Sequence, residues 1–330
     1  MKSQWEESRM IEVAAGPAGV SVESVTHHGW EGCIRLANEQ IEAIVVPQIG
    51  RVMQLRLIGD AEGTFWENRE LDGQIHDSAS DEWINFGGDK CWPAPQSCWP
   101  RYQDREWPPP AAFDARPVAA AVTERGVVLT SEVDLSFGIQ VVRHVEIDPQ
   151  QPVMRIRTEY RKVAGAPVRV SVWTITQMRN PERVALLLAE ESRFAEGFAR
   201  LLEAEPKDLR RNGPLLSLAR HPRNFVKIGA ETAAMVWVGR NAVVRIEAET
   251  AMDAGPEEYP DGGCAVEIYT NPDPLPYVEL ETLGPLVELR VGESAERTVV
   301  YTVLPRLLAD PDAEARAALE RGNRRTLGCV

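Results

Sequence analysis

Glu279 and Glu281 stand one residue apart in the alternating run YVELETL at 277–283. Side chains of a strand alternate between faces, so this spacing puts both carboxylates on one face. Adjacent carboxylates repel, and the repulsion raises one pKa toward the range in which the group can take a proton from a substrate. A solvated sheet face also accommodates an E-x-E pair, so its chemistry depends on what stands around it.

A second concentration of useful side chains runs from Trp83 to Pro110, WINFGGDKCWPAPQSCWPRYQDREWPPP. It holds four of the nine tryptophans and six of the 24 prolines. Proline fixes φ and removes a backbone donor, which predicts an ordered loop here rather than a central strand or a helix interior. Asn85, Asp89, Lys90 and Gln96 supply the donors and acceptors that a polyol displays in return. Trp92, Trp99 and Trp107 supply flat apolar faces on which the CH-rich side of a pyranose stacks, although core packing also explains any single one. Arg51, opening a strand after Gly50, presents a planar fork that suits two hydroxyls, a ligand carboxylate or a neighbouring acid. Five histidines occur, at 27, 28, 76, 144 and 221, and a surface or hydrogen-bonded role accounts for each. His76 is the candidate among them because its loop leads into the tryptophan-rich segment.

The bulk properties narrow the partners. A net charge of -14, with no run of Lys or Arg longer than two, disfavours nucleic acid and anionic membrane surfaces. The opening MKSQWEESRM lacks a signal-peptide pattern and no stretch of eighteen apolar residues occurs, so a soluble, cytoplasmic protein is expected. Five scattered cysteines without a CxxC pair point to reduced thiols, with neither a disulfide framework nor a structural zinc site. Glu257, Glu258, Asp261 and Asp273 make one region acidic without EF-hand spacing, so no metal is expected there. P-loop, GxGxxG, GxSxG and HExxH patterns are absent, so no cofactor is expected either.

Most of the chain alternates with period two. Such runs occur at 32–37, 40–46, 51–58, 127–134, 139–147, 154–160, 168–177, 225–230, 233–239, 243–249, 264–270, 277–283 and 296–304, closed by Gly, Pro, Asn or Asp. The pattern predicts an all-β protein, a large antiparallel sandwich or barrel with minor short helices. Helical spacing appears at 192–204, where Phe194, Phe198, Leu201 and Leu202 share a face, and at 310–322, where Asp310 caps and Pro311 takes the first position. No Gly/Ser linker divides the 330 residues, which reads as a single domain with a core at about 19–305 and a helical extension over 306–330.

Three segments in order, QIEAIVVPQIGRVMQLRLI at 40–58, GGDKCWPAPQ at 87–96 with WPPP at 107–110, and YVELETLGPLVELRVGES at 277–294, resemble the galactose mutarotase-like (aldose 1-epimerase) superfamily and a mutarotase-like branch within it. The resemblance spans about residues 19–305. It implies a β-supersandwich whose concave face holds a monosaccharide or related polyol, and it implies isomerase chemistry. In that chemistry a base removes the C1 hydroxyl proton while an acid protonates the ring oxygen, with no cofactor. Glu279 matches the catalytic base and Glu281 the position of a following glutamine. The family's middle strand carries a histidine, whereas the similar stretch VRVSVWTITQM at 168–178 has none and offers Trp173, Thr176 and Gln177. Trp173 and Gln177 can hold a sugar but cannot donate a proton at neutral pH. The acid is left between His76 and, if burial shifts them, Lys90 or Asp89. A non-catalytic carbohydrate-recognition protein, or one using the same base for an elimination or ring opening, is the competing expectation.

Overall fold

The computed structural model describes residues 19–76, 82–249 and 258–326, with side chains to residue 321. The opening decapeptide, Glu257 and Cys329 lie outside these residues.

Two antiparallel sheets account for nearly all of it. One has 11 strands, ordered β1 (Ser21–His27), β2 (Trp30–Ala37), β3 (Ile41–Val46), β4 (Arg51–Leu57), β5 (Asp89–Ala94), β10 (Val168–Arg179), β19 (Tyr277–Leu283), β18 (Val266–Thr270), β15 (Val226–Ala230) and β12 (Ala199–Arg200), with β20 (Val287–Leu289) also paired to β10. The other has 10, ordered β13 (Leu209–Asn212), β14 (Leu215–Leu218), β11 (Arg183–Leu187), β16 (Ala234–Val238), β17 (Ala242–Ala248), β21 (Ser294–Pro305), β9 (Val153–Lys162), β8 (Ile139–Ile147), β7 (Gly126–Asp134) and β6 (Ala119–Val122). Helices α1 (Pro100–Gln103) and α2 (Ala111–Asp114) are single turns, and α3 (Pro311–Thr326) closes the described chain. Among the described residues no helix is long and apolar enough to cross a membrane.

Alternation sorts the side chains of the large sheet. Val278 and Leu280 of β19, Val266 and Ile268 of β18 and Met178 of β10 meet Ile246, Val299, Tyr301, Val303 and Ile156 of the other sheet in one apolar interior. Each fully buried side chain of this size contributes roughly 1.5–3 kcal/mol. The residues between them, Glu279 and Glu281 included, therefore face away from the second sheet.

One polar network crosses that interior. Asp89, fully buried, is ion-paired with Arg143 of β8 and accepts from the Thr176 hydroxyl at 2.7 Å and the Tyr301 hydroxyl at 2.7 Å. It ties β5 and β10 of one sheet to β8 and β21 of the other.

The helix expected at 310–322 is present and starts at Pro311, with the Asp310 carboxylate accepting from the Asp312 N–H at 3.1 Å, but it continues through Gly322 to Thr326. Two other expectations are corrected. The segment 192–204 is not a helix: Gly197 takes φ 81°, and Ala199 and Arg200 pair as β12 with the edge of β15, because backbone bonds to that edge replace the helical ones. The tryptophan-rich segment contributes a central strand after all, since Asp89–Ala94 lies between β4 and β10. Pro93 fits because β5 is laddered to β4 only through Val52 and Asp89, so that side demands no donor at Pro93. The glycines before it are required by crowding. Gly87 and Gly88 both have positive φ, and a Cβ on either would collide with the Trp66 or the Val52 carbonyl oxygen.

Candidate functional site

Five adjacent strands of the large sheet, β5, β10, β19, β18 and β15, bring polar side chains into two rows on the outward face. In one row Lys90 lies opposite Ile175, Ile175 opposite Glu281, and Glu281 opposite Glu267. In the next, Gln177 lies opposite Glu279, Glu279 opposite Tyr269, and Tyr269 opposite Lys227. Neither row depends on loop conformation, so the pairing register alone sets the spacing.

The two glutamates differ in their surroundings. Glu281 is saturated: Lys227 Nζ lies 3.0 Å from its Oε2, the Trp173 indole N–H donates to the same oxygen at 2.7 Å, and the residue is 1% exposed. Lys227 is also 2.6 Å from Glu267 Oε2 and stands 4.8 Å above the Trp173 ring. Glu279 is held more loosely. It accepts from Gln177 Nε2 at 2.9 Å and faces Lys90 Nζ at 3.7 Å, and its side chain keeps 14% of its surface exposed. Two ammonium groups thus face three carboxyl groups, so the row offers no unpaired cation to an anionic ligand and suits a hydroxyl donor at Glu279.

Lys90 sits in an aromatic box. Its ammonium lies 4.3 Å from the Trp92 ring centroid and 5.2 Å from that of Trp83. Trp107, 44% exposed, covers both from outside at 5.7 Å from Trp92 and 5.1 Å from Trp83. Trp173 and Trp99 extend the cluster at 5.5 and 5.7 Å from Trp92. Beside this box several buried polar atoms lack a well-formed hydrogen bond: Lys90 Nζ, Gln177 Oε1, Trp83 Nε1 and both amide atoms of Asn85. Asn85 and Gln177 both flank the Tyr277 hydroxyl. An incompletely satisfied buried polar atom costs about 1–3 kcal/mol, so this cluster retains hydrogen-bonding capacity that a polar ligand could use.

Burial moves the facing pair toward each other in pKa. It raises Glu279, with Lys90 opposing and Glu281 adding to the rise. It lowers Lys90, against the pull of Glu279. Burial likewise pushes Glu267 well above the carboxylate range despite Lys227. It opposes the charge on Lys227, but Glu281 and Glu267 outweigh it and hold that ammonium protonated. Tyr269 is pushed up to about 12 by burial and by Glu279.

The structure brings Glu279, Glu281, Lys90, Trp92, Trp107, Trp173, Gln177 and Asn85 into this one region. Arg51 braces it from behind. Fully buried, Arg51 donates to the Gly87 carbonyl at 2.8 Å and to Asp114 Oδ1 at 2.8 Å, and Asp114 Oδ1 also accepts from the Trp92 indole at 2.8 Å. Asp89 points into the interior on the opposite face of its strand, and Gln96 is exposed in the turn Gln96–Cys98. His76 lies apart from Glu279: its Nε2 is 3.0 Å from the Glu82 carbonyl, in a small cleft lined also by Trp83, Pro108 and Asp114. Sequence reasoning missed Lys227, Glu267, Tyr269 and Tyr277. Lys227 and Glu267 are lone charges inside short apolar strands, and the pattern would have flagged them once strand neighbours were known.

Solved structures match this architecture over most of the chain. A galactose mutarotase-like protein from Lactobacillus casei superposes with a TM-score of 0.53 at 9% identity, covering 83% of this chain and 100% of that one. The fold is that of the galactose mutarotase-like proteins. A galactose mutarotase related enzyme from Lactobacillus acidophilus gives 0.52 at 9% identity, over 82% of this chain and 97% of that one. A TPR-domain containing protein from Parabacteroides distasonis gives 0.54 at 15% identity over 84% of this chain, which spans only 48% of that one. No family model and no curated protein matches the sequence. At these identities the mutarotase-like likeness is one of fold.

Proposed function

We propose that the protein binds a neutral monosaccharide or related polyol on the outward face of the large sheet and isomerises it by proton transfer between Glu279 and Lys90. The observation that carries the reading is the pair itself. A carboxyl with a raised pKa and an ammonium with a lowered one face each other at 3.7 Å, beside buried polar atoms such as Gln177 Oε1 and Trp83 Nε1 that lack a well-formed hydrogen bond. Glu279 takes the proton of the C1 hydroxyl while Lys90 gives one to the ring oxygen, and the C1–ring oxygen bond breaks to an open-chain aldehyde. After rotation the ring recloses as Lys90 recovers its proton and Glu279 returns its own to the carbonyl oxygen. Both oxygens share one carbon, so an adjacent acid and base can serve them. Lys90 fills the role for which the middle strand offers no histidine.

The test is polarimetry of freshly dissolved sugars alongside calorimetric binding to a sugar panel. Acceleration of mutarotation with saturable binding supports the reading, whereas neither binding nor acceleration across the panel refutes it. The rate is expected to be bell-shaped in pH. It should rise as Glu279 ionises, at a pH above the ordinary glutamate range because its pKa is raised, and fall as Lys90 loses its proton, below the ordinary lysine range because its pKa is lowered. A flat profile through both ranges would count against the pair.

A non-catalytic carbohydrate-recognition role is favoured by one feature: Lys90 is 1% exposed beneath Trp83 and Trp92. Binding without rate enhancement would select this second reading.

A further inference from the structure

His27 and His28 are consecutive, yet both imidazoles turn toward one carboxylate. Consecutive strand residues normally point to opposite faces. Here His28 leaves the strand in the left-handed region at φ 46° and Gly29 follows at φ 91°, closing the hairpin between β1 and β2. The turn sets the two ring centroids 4.0 Å apart, His27 Nε2 2.6 Å from Glu67 Oε1 and His28 Nε2 3.7 Å from Glu67 Oε2. All three ligand atoms lie within 4.8 Å of one another.

The carboxylate is held from behind. Gln54 Nε2 donates to Glu67 Oε2 at 3.1 Å, and Gln54 Oε1 is itself fixed by the backbone N–H groups of Leu55, Thr64 and Phe65 at 3.0–3.1 Å. The three side chains open onto a cleft of about 850 Å3. Trp66 and Pro276 line that cleft, but Lys90, Glu279 and Glu281 do not.

We propose that His27, His28 and Glu67 form a binding site for a divalent transition-metal ion, with zinc as the reference case. Two imidazoles and one carboxylate are a donor set that zinc accepts at bond lengths of about 2.0–2.2 Å, which puts ligand atoms roughly 3.3 Å apart. His27 Nε2 lies 2.6 Å from Glu67 Oε1 and His28 Nε2 3.7 Å from Oε2, with the set within 4.8 Å, so ligation requires the rings and the carboxylate to turn until each presents one atom at that spacing. Three protein ligands leave a coordination position facing the cleft, the arrangement of reactive sites rather than of closed structural ones. The ion would bind water or a small oxygen ligand there.

Arg69 controls access to the site. Its Nη2 lies 2.9 Å from His28 Nδ1, and arginine only donates, so Nδ1 accepts and the ring proton occupies Nε2, the ligating atom. Binding requires that proton to move to Nδ1 and the guanidinium to withdraw. Asp72 already holds the guanidinium by bonds of 2.8–3.1 Å and provides the place to which it withdraws. Arg69→Gln replaces the obligatory donor with an amide oxygen able to accept from Nδ1–H, and should tighten metal binding although it touches no metal.

The experiment is chelator-competition calorimetry with Zn2+ on tag-free, full-length protein. One ion per chain is expected. His28→Asn, whose asparagine tolerates the left-handed turn, should weaken binding about 10–100-fold or more, while Arg69→Gln strengthens it and His221→Asn leaves it unchanged. Wild-type affinity no better than that of His28→Asn would overturn the site. Should a variant fold poorly, the wild-type Co2+ form answers alone: it should give two exchangeable imidazole N–H resonances shifted by the ion, and none or one overturns the proposal.

Discussion

On the proposed mechanism, Glu279→Gln should lower the mutarotation rate by about 10²–10⁴-fold, the usual worth of one general base, and leave sugar binding measurable by calorimetry. Glutamine keeps the volume and can still meet Gln177, which now bonds the carboxylate at 2.9 Å, so the β10–β19 register should survive. Two things change together: the proton acceptor disappears, and Lys90 loses the carboxylate 3.7 Å away that sustains its charge. The acid limb of the pH profile should disappear in this variant. Anomerisation at the wild-type rate by Glu279→Gln would remove Glu279 from the mechanism.

Asp89→Ala destabilises the fold by about 3–5 kcal/mol, the cost of leaving a buried charge without its partner. Arg143 is 3% exposed and is ion-paired to Asp89, while the Thr176 and Tyr301 hydroxyls both bond its Oδ2 at 2.7 Å. Alanine strands all three groups between the sheets. Tyr301→Phe, which removes one hydroxyl and leaves the ion pair, should cost about 1 kcal/mol. Urea denaturation with an unchanged slope measures both, and a midpoint for Asp89→Ala equal to that of the wild type would show that the network contributes nothing. Lys90 follows Asp89 directly on β5, so the substitution should also slow proton transfer in protein that remains folded.

Much of this architecture was legible as alternation. The runs at 139–147 and 277–283 coincide with β8 and β19, because there one face meets apolar core and the other meets polar groups. Glu279 and Glu281 could be placed on one face from spacing alone. Their different fates could not, because Lys227 comes from β15 and reaches Glu281 across β18, a neighbour relation that periodicity does not encode. Asp89 and Lys90 read as equivalent loop residues as long as the prolines argued against a strand; once β5 forms, alternation sends one inward and the other outward. The apolar spacing at 192–204 misled because Phe198 is buried beside a sheet edge, and an edge with unpaired backbone groups outcompetes a short helix. Two adjacent histidines carried no signal, since their convergence depends on a left-handed residue at 28.

The packing of Trp83, Trp92, Trp99, Trp107 and Trp173, with centroid separations of 5.1–6.3 Å and mostly perpendicular rings, also has an optical consequence. Indoles this close exchange excitation, so they absorb and emit as a coupled set whose circular dichroism depends on mutual angle. Trp107 is the exposed member, and anything resting on it changes the polarity around the whole set. The chain thereby carries its own chromophore beside the proposed binding face, and binding there should be readable by intrinsic emission without a label.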